Sequence, residues 1–255
     1  MFIDDFKFNF SYRGNLELLK AKKISIVGSR KPSKYSREMI QKLSSLLSRH
    51  GVCIVSGGAM GIDAVAHNGA GISNTIAVLP CGIDVRYPSV NKNLLNNIEK
   101  NGLLLSQFED SEKPRNYYFV QRNEVVVSLG ELLVVGEADL NSGSMRSIEF
   151  ALKMKKKIYV LPQRLGESKA TTKLVEENKA EFIYDIEKFV LDFVGKDTLC
   201  PKGKTHLENT SDDFITFCKN SPSYDEALAK FPDRVFEAEL SGEIVVQNGK
   251  VILNN

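Results

Sequence analysis

Short apolar runs alternate between residues 20 and 195 with segments whose apolar positions recur at helical spacing. Lys23–Val27, 52–55, Thr75–Leu79, 102–105, 131–135 and 157–160 are too short for buried helices and predict buried strands. Between the first two lies residues 36–49, where Met39, Ile40, Leu43, Leu46 and Leu47 share one helical face and Gly51 closes the segment as a left-handed cap. Ile62–Ala70, 93–100, 122–129 and 147–153 complete the helical segments. Strands and helices in strict alternation predict an α/β chain with a mostly parallel sheet covered on both faces. Such sheets bind ligands at the carboxyl ends of their strands.

The alternation stops at residues 196–210, where Gly, Pro, Lys and Thr predict a linker. Three short helix signals follow, at 212–219, at Tyr224–Lys230 behind a Ser223 cap, and at 233–240 behind Pro232. Two apolar triplets then flank Asn248-Gly249, a strong hairpin signal. Three helices and a hairpin are the order of a winged helix. The expected division is a domain over 1–195, with 1–20 as an N-terminal extension, a linker over 196–210 and a winged-helix-like domain over 211–255.

The chain has 255 residues, 42% of them hydrophobic and 26% charged, so it carries enough apolar material for a core. Its net charge of +2 hides an asymmetry. Residues 211–255 hold eight acids and four bases, net −4, which leaves +6 on the rest. Cys53, Cys81, Cys200 and Cys218 form no C-x-x-C pair, and His50, His67 and His206 fall in no metal-ligand spacing, so neither disulfides nor a metal site is expected. No cofactor is implied. No run reaches the length of a membrane span, and the first ten residues hold no signal-type apolar core, so the expected compartment is the cytoplasm.

Three strand ends carry the chemistry. The second strand runs into Ser56-Gly57-Gly58-Ala59-Met60-Gly61 ahead of a helix, a turn in which bare backbone and a helix N-terminus favour anions. The first runs into Gly28-Ser29-Arg30, whose guanidinium can grip a phosphate with two hydrogen bonds, and Lys31 and Lys34 stand beside it. The strand at 131–135 leads to Glu137 and then Asn141-Ser142-Gly143-Ser144, offering hydroxyls and free amides before the next helix. Three such loops at one sheet edge predict a groove for a chain of phosphates. Residues 113–123 add Arg115 and Arg122 among Tyr117, Tyr118 and Phe119, an interleaving that offers faces to unpaired bases and cations to phosphates. Core packing explains each of those aromatic rings equally well.

Val-Gly-Ser-Arg at 27–30, the Ser-Gly-Gly-Ala-x-Gly-Ile-Asp-x-x-Ala-His run at 56–67, Gly82-Ile83-Asp84 with Tyr87-Pro88, Phe-x-x-Arg-Asn at 119–123, Glu137-Ala138 with Ser-Gly-Ser at 142–144, and Val160-x-Pro162 occur in one order. Order and spacing resemble the DprA/Smf family (DNA processing protein A) over about 23–195. The resemblance implies an extended Rossmann-like fold that binds single-stranded DNA, forms a homodimer and loads a RecA-type recombinase in natural transformation. It implies a DNA groove lined by Arg30, Gly57, Gly58, Arg122, Asn123, Ser142 and Gly143, with Phe119 against a base, and the loops and the basic stretch add Ser29, Arg115 and Ser144 as candidates. The sequence departs from the family at Met60 and Glu124, where arginines are usual, and at Gln107, Gln163, Arg146 and Ser147.

No catalytic residues are expected. Asp63 and His67 share a helix face, and the reading preferred for Asp63 is a bond to loop amides. A nucleotide phosphoribohydrolase of the lysine-decarboxylase-like (cytokinin-activating) type is the alternative. It needs Pro-Gly-Gly-x-Gly-Thr-x-x-Glu, of which residues 140–149 keep only Glu149. A dinucleotide site lacks its first glycine, since Ser56 stands there. Gly203-Lys204-Thr205 ends like a P-loop but lacks the earlier glycine, where Thr198 stands. In the tail, a helix rich in Asp233, Glu237 and Glu239 would be repelled by duplex DNA, so a protein partner, packing on the chain's own main domain or a bare solvated face is expected. Apolar segments at 158–165 and 182–193 are candidates for a dimer face or for core.

Overall fold

Side chains on both faces of the central strands are apolar, and this burial dictates the architecture. A computed structural model of the chain describes residues 9–195, 210–231, 235, 238, 243–247 and 249–253. The described residues divide into two compact units, within Met1–Pro201 and Lys202–Asn255.

The first unit holds β1 (Ser11–Gly14), β2 (Lys23–Val27), α1 (Lys34–Arg49), β3 (Cys53–Ser56), α2 (Ile62–Ala70), β4 (Thr75–Leu79), α3 (Lys92–Asn101) and β5 (Leu103–Ser106). It continues with α4 (Asn116–Leu129), β6 (Leu133–Val135), α5 (Ser144–Lys153), β7 (Ile158–Val160), α6 (Lys169–Glu176), β8 (Glu181–Phe182) and α7 (Ile186–Val194). Eight strands form one sheet in the order β1-β5-β4-β3-β2-β6-β7-β8. All neighbours are parallel except β1, which runs antiparallel along β5. This is the expected α/β Rossmann-like fold.

Alternation along each strand sorts the core. Val27, Val55, Ile76 and Val78 face one cluster with residues of α4, α5 and α6. Ile24, Ile26 and Ile54 face another with residues of α1, α2 and α7. The face pointing to α1 takes Ile40, Leu43 and Leu47, all fully buried, and Ser33 caps that helix by accepting the Ser36 amide. Gly51 follows in the left-handed conformation (φ 75°), as its place in the sequence predicts.

Several elements differ from expectation. Residues 11–14, read as part of an N-terminal extension, pair with β5. The helix expected over 122–129 begins at Asn116, so all three aromatics at 117–119 are helical. Helix α6, strand β8 and helix α7 were not expected. Of the two apolar dimer-face candidates, Ile158, Val160 and Val190 are core, while Leu165, Tyr184 and Leu191 are exposed.

The second unit contains α8 (Thr210–Cys218), α9 (Tyr224–Lys230) and an antiparallel hairpin of β9 (Ile244–Gln247) and β10 (Lys250–Leu253). Phe214, Cys218, Ala227, Val235, Ala238, Ile244 and Val251 form its own small core. Ser223 and Glu226 make a reciprocal capping box at α9. Within the third predicted helix, Val235 and Ala238 are helical and buried, and its acidic residues lie outside the described residues, as does the linker expected over 196–210 except for Thr210, which opens α8.

Candidate functional site

The chain reverses direction across the sheet between β2 and β6. There the loops after β2, β3 and β6 lie side by side at the strands' carboxyl ends. Hydrogen bonds tie them together. Ser29 N–H donates to the Glu137 carbonyl (2.8 Å), Ser33 N–H to the Glu137 carboxylate (2.9 Å) and Ile62 N–H to the Ser29 carbonyl (3.1 Å). Gly61 permits the last contact. Its φ is +77°, and a Cβ there would sit 2.2 Å from the Ser29 carbonyl oxygen.

These loops and the first turns of α4 enclose a groove of about 640 Å³. Ser29, Arg30, Phe119, Arg122, Asn123 and Ser142–Ser144 line it, together with Ala59, Asp63, Tyr87 and Arg146. Gly57 reaches a smaller adjoining slot. Gly58 and Arg115 line neither. Gly58 is buried, with its carbonyl held by the Asn91 side chain (3.0 Å). Arg115 is exposed at the start of α4, where its guanidinium meets the Tyr117 hydroxyl (3.4 Å) and lies over the Tyr118 ring.

Helix α4 is pinned at both ends, which fixes the groove side chains it carries. Near its start Tyr118 is core. Its ring stacks on Phe108 (3.8 Å) and its hydroxyl donates to Glu112, which raises its pKa. At the far end Lys156 donates to the Val127 and Ser128 carbonyls (2.8 and 2.7 Å), a cation at a helix C-terminus. Tyr117 is half exposed to solvent, and Phe119 is half-buried at the groove.

The glycine-rich loop is arranged differently from a bare anion cradle. Asp63 Oδ2 accepts the amides of Gly57 (3.2 Å) and Ala59 (3.3 Å), so the chain's own carboxylate occupies the inside of the turn, as preferred from the sequence. Arg122 lies behind it, 4% exposed, with Nη1 3.8 Å from Asp63 Oδ2 and 3.5 Å from the Val78 carbonyl, while its Nε has no partner among the described residues. A Cβ at residue 57 would fall 1.3 Å from Arg122 Nη1, so only glycine leaves room for the guanidinium. Burial is the largest influence on both charges. It raises the Asp63 pKa and lowers that of Arg122, each opposed by the other's charge. His67 is fully buried. Its Nδ1 bonds Thr75 Oγ1 (2.7 Å), whose own proton goes to the Ile54 carbonyl, and burial followed by the Arg122 charge pushes its pKa down to about 3. Asp63 and His67 therefore do not act on each other through a hydrogen bond.

Groups open to an anion stand in front of this buried pair. Arg30 is exposed, makes no ion pair among the described residues and rests 5.5 Å from the centre of the Phe119 ring. Its charge acts on Arg122 across the slot, so an anion between them would relieve a repulsion. Across the groove α5 starts without a side-chain cap. Its first amides, at Gly143 and Ser144, take no acceptor among the described residues, and the Ser142 hydroxyl is buried without a partner. Asn123 reaches the Gly143 carbonyl at 3.5 Å. Arg146 is exposed beside this helix end and is paired with Glu149 (2.8 Å), the residue left from the hydrolase motif. Met60 and Tyr87, both exposed in part, were not expected to line the site. Among the described residues no cluster of metal-ligating side chains occurs.

The family model of DNA recombination-mediator protein A matches residues 3–194. DNA processing protein DprA of Streptococcus pneumoniae is 38% identical over 154 residues, which cover 59% of this chain and 54% of that one. Protein Smf of Escherichia coli is 35% identical over 158 residues, covering 60% and 42%. The chain thus spans about half the length of the curated relatives it matches. Among solved structures, DNA processing protein A from Helicobacter pylori, described for its single-stranded DNA binding mode, superposes with a TM-score of 0.73 at 37% identity, covering 76% of this chain and 91% of that one. The Streptococcus pneumoniae protein superposes with a TM-score of 0.66 at 33% identity, covering 71% and 65%. A match that runs the length of the sheet-bearing unit is a match to a whole architecture and not to one motif, and the chain belongs to the family of DNA recombination-mediator protein A.

Proposed function

We propose that the groove binds single-stranded DNA without strong sequence preference, and that the chain delivers this strand to a RecA-type recombinase in the cytoplasm. One observation carries the reading. Arg30, free of any carboxylate among the described residues, stands beside a half-buried aromatic ring and opposite the uncapped start of α5. A phosphate meets the guanidinium and the Gly143 and Ser144 amides, and a base meets the Phe119 ring. Ser29, Ser142 and Asn123 add neutral hydrogen bonds. Gly57, Gly58 and Arg122 act from behind, by giving the loop its shape around Asp63. Arg115 stands outside the groove and reaches the strand only where it leaves.

The likeness to the Helicobacter pylori protein supports this reading. A homodimer would join two grooves into a longer path. The second unit fits a winged-helix-like domain, with two helices, buried helical residues at Val235 and Ala238 and a hairpin around one core, and its acidic sequence suits a protein partner. Binding of dT oligomers and of a duplex, followed across salt concentration, tests the main claim. The expected result is dT binding that falls with salt and much weaker duplex binding. Tight duplex binding with none to dT would overturn it. Loading is tested by adding the protein to a RecA-type recombinase on strands coated with single-strand-binding protein, where filament formation should speed up.

A further inference from the structure

We propose that Arg146 is a second phosphate-binding cation of the groove, and that Glu149 occupies it until a strand takes the carboxylate's place. The inference rests on the strand-binding reading and adds a residue that the reading does not use. Arg146 lines the groove and stands in the first turn of α5. That turn holds no acidic residue and no side-chain cap. The Gly143 and Ser144 amides take no acceptor among the described residues, and the buried Ser142 hydroxyl has no partner among them. A helix N-terminus already carries partial positive charge, and an arginine there adds to it. This end of α5 is therefore short of negative charge in its backbone and in its side chains.

Among the described residues, the one carboxylate paired with Arg146 is Glu149, with Oε2 2.8 Å from Nη1. The pair is weak on two grounds. Both side chains are exposed, at 60% and 54%, so water screens them. The cation also precedes the anion along the helix, the poorer order against the helix dipole. Glu149 lines neither the groove nor the slot, so its oxygens draw the guanidinium away from the cavity. A phosphate inside the groove offers two oxygens to the guanidinium and lies near the free amides as well. Exchange of the carboxylate for a phosphate therefore favours the strand. Arg30 stands on the facing wall of a groove of about 640 Å³, far larger than one phosphate group, so the two arginines meet different phosphates of the strand.

Fluorescence anisotropy of a dT oligomer across salt concentration tests this. Arg146→Ala should bind about tenfold more weakly, the order of one charge-assisted contact. Its slope of log affinity against log salt should be shallower by about 0.7, and that of Arg30→Ala/Arg146→Ala by about 1.4, two contacts on a single strand. Arg146→Lys should keep the parent slope and lose only part of the affinity, since the charge stays and the planar fork goes. Glu149→Gln should bind about threefold tighter, the order of one exposed ion pair no longer broken, and this gain should shrink when Arg146 is alanine. The melting temperature of Arg146→Ala should hold or rise, because a cation leaves the positive end of a helix, whereas a merely structural role would lower it. If Arg146→Ala binds like the parent with the same slope while Arg30→Ala is weakened, Arg146 is no contact and the strand-binding reading stands. A double variant whose slope is no shallower than that of Arg30→Ala overturns the second phosphate. A parent protein that binds no dT overturns the strand-binding reading and the role of Arg146 with it.

Discussion

The Asp63 carboxylate lies 3.8 Å from the Arg122 guanidinium beneath the glycine loop, and side-chain exposure is only 9% and 5%. The pair fills the place where a phosphate would otherwise meet the amides of Gly57 and Ala59. An internal anion pre-forms the loop, and an internal cation offsets that anion's burial. Replacing one member strands the other. Arg122→Met is expected to cost about 3–5 kcal/mol, the usual penalty for an unpaired buried charge. The Asp63→Asn/Arg122→Met double variant should lose less than the sum of the single losses. Urea unfolding of the four proteins measures this, and additive losses would mean that the two groups do not interact.

Arg30 should behave in the opposite way. It is exposed and unpaired among the described residues, so Arg30→Ala should change stability by no more than about 0.5 kcal/mol. Its loss removes a charge-assisted contact, and dT binding should weaken by about 1.5–3 kcal/mol. The slope of log affinity against log salt should become shallower by about 0.7, one phosphate contact on a single strand. Fluorescence anisotropy at several salt concentrations gives both numbers. An unchanged slope would place the phosphate elsewhere.

Elements that bury a face were legible in the sequence, and elements defined by backbone pairing were not. Strands β2 to β4 are almost continuous apolar runs, and α1 shows a single apolar stripe. Strand β1 reads Ser-Tyr-Arg-Gly and is mostly exposed, held by pairing with the backbone of β5 and by the Arg13–Glu99 ion pair to α3. Strand β8 has two residues, too few for any period. The first turns of α4 were hidden because that helix buries residues around much of its circumference, Tyr118, Arg122, Val125, Val126 and Val127 among them. The site was legible as three loops and one arginine. The burial of Arg122 was not, because a buried guanidinium depends on a partner from another helix, and nothing near it in the chain names Asp63.

Two glycines in the site should respond differently to one added methyl group. At Gly57 the new Cβ would overlap Arg122 Nη1 at 1.3 Å and approach Asp63 Oδ2 at 2.8 Å. Both atoms belong to a buried pair with little freedom to move, so Gly57→Ala is expected to destabilise by about 3 kcal/mol or more. At Gly143 nothing lies within 4 Å of the new Cβ, and φ −60°, ψ −23° suits any residue. Gly143→Ala should therefore stay within about 0.5 kcal/mol. Thermal unfolding of the two variants gives the ranking, and equal effects would show that Arg122 can leave its place at little cost.

His67 makes a prediction in pH. Its ring is buried and neutral, with a pKa pushed from 6.5 down to about 3 by burial and then by the Arg122 charge. In the unfolded chain the ring binds its proton near the ordinary value. As pH falls below 6.5 the unfolded state therefore takes up a proton that the folded state refuses. Stability from this group is full above that value and is lost as pH falls toward the folded pKa, at up to about 1.4 kcal/mol per unit. Asp63, with its pKa raised, acts with the opposite sign, losing stability as pH rises, but it is present in both proteins and drops out of their comparison. His67→Gln is expected to be less stable than the parent at pH 7, where the Thr75 bond is disturbed, and the gap should narrow steadily toward pH 4. Unfolding free energies taken at intervals over that range would run parallel if the imidazole were protonated in the folded protein.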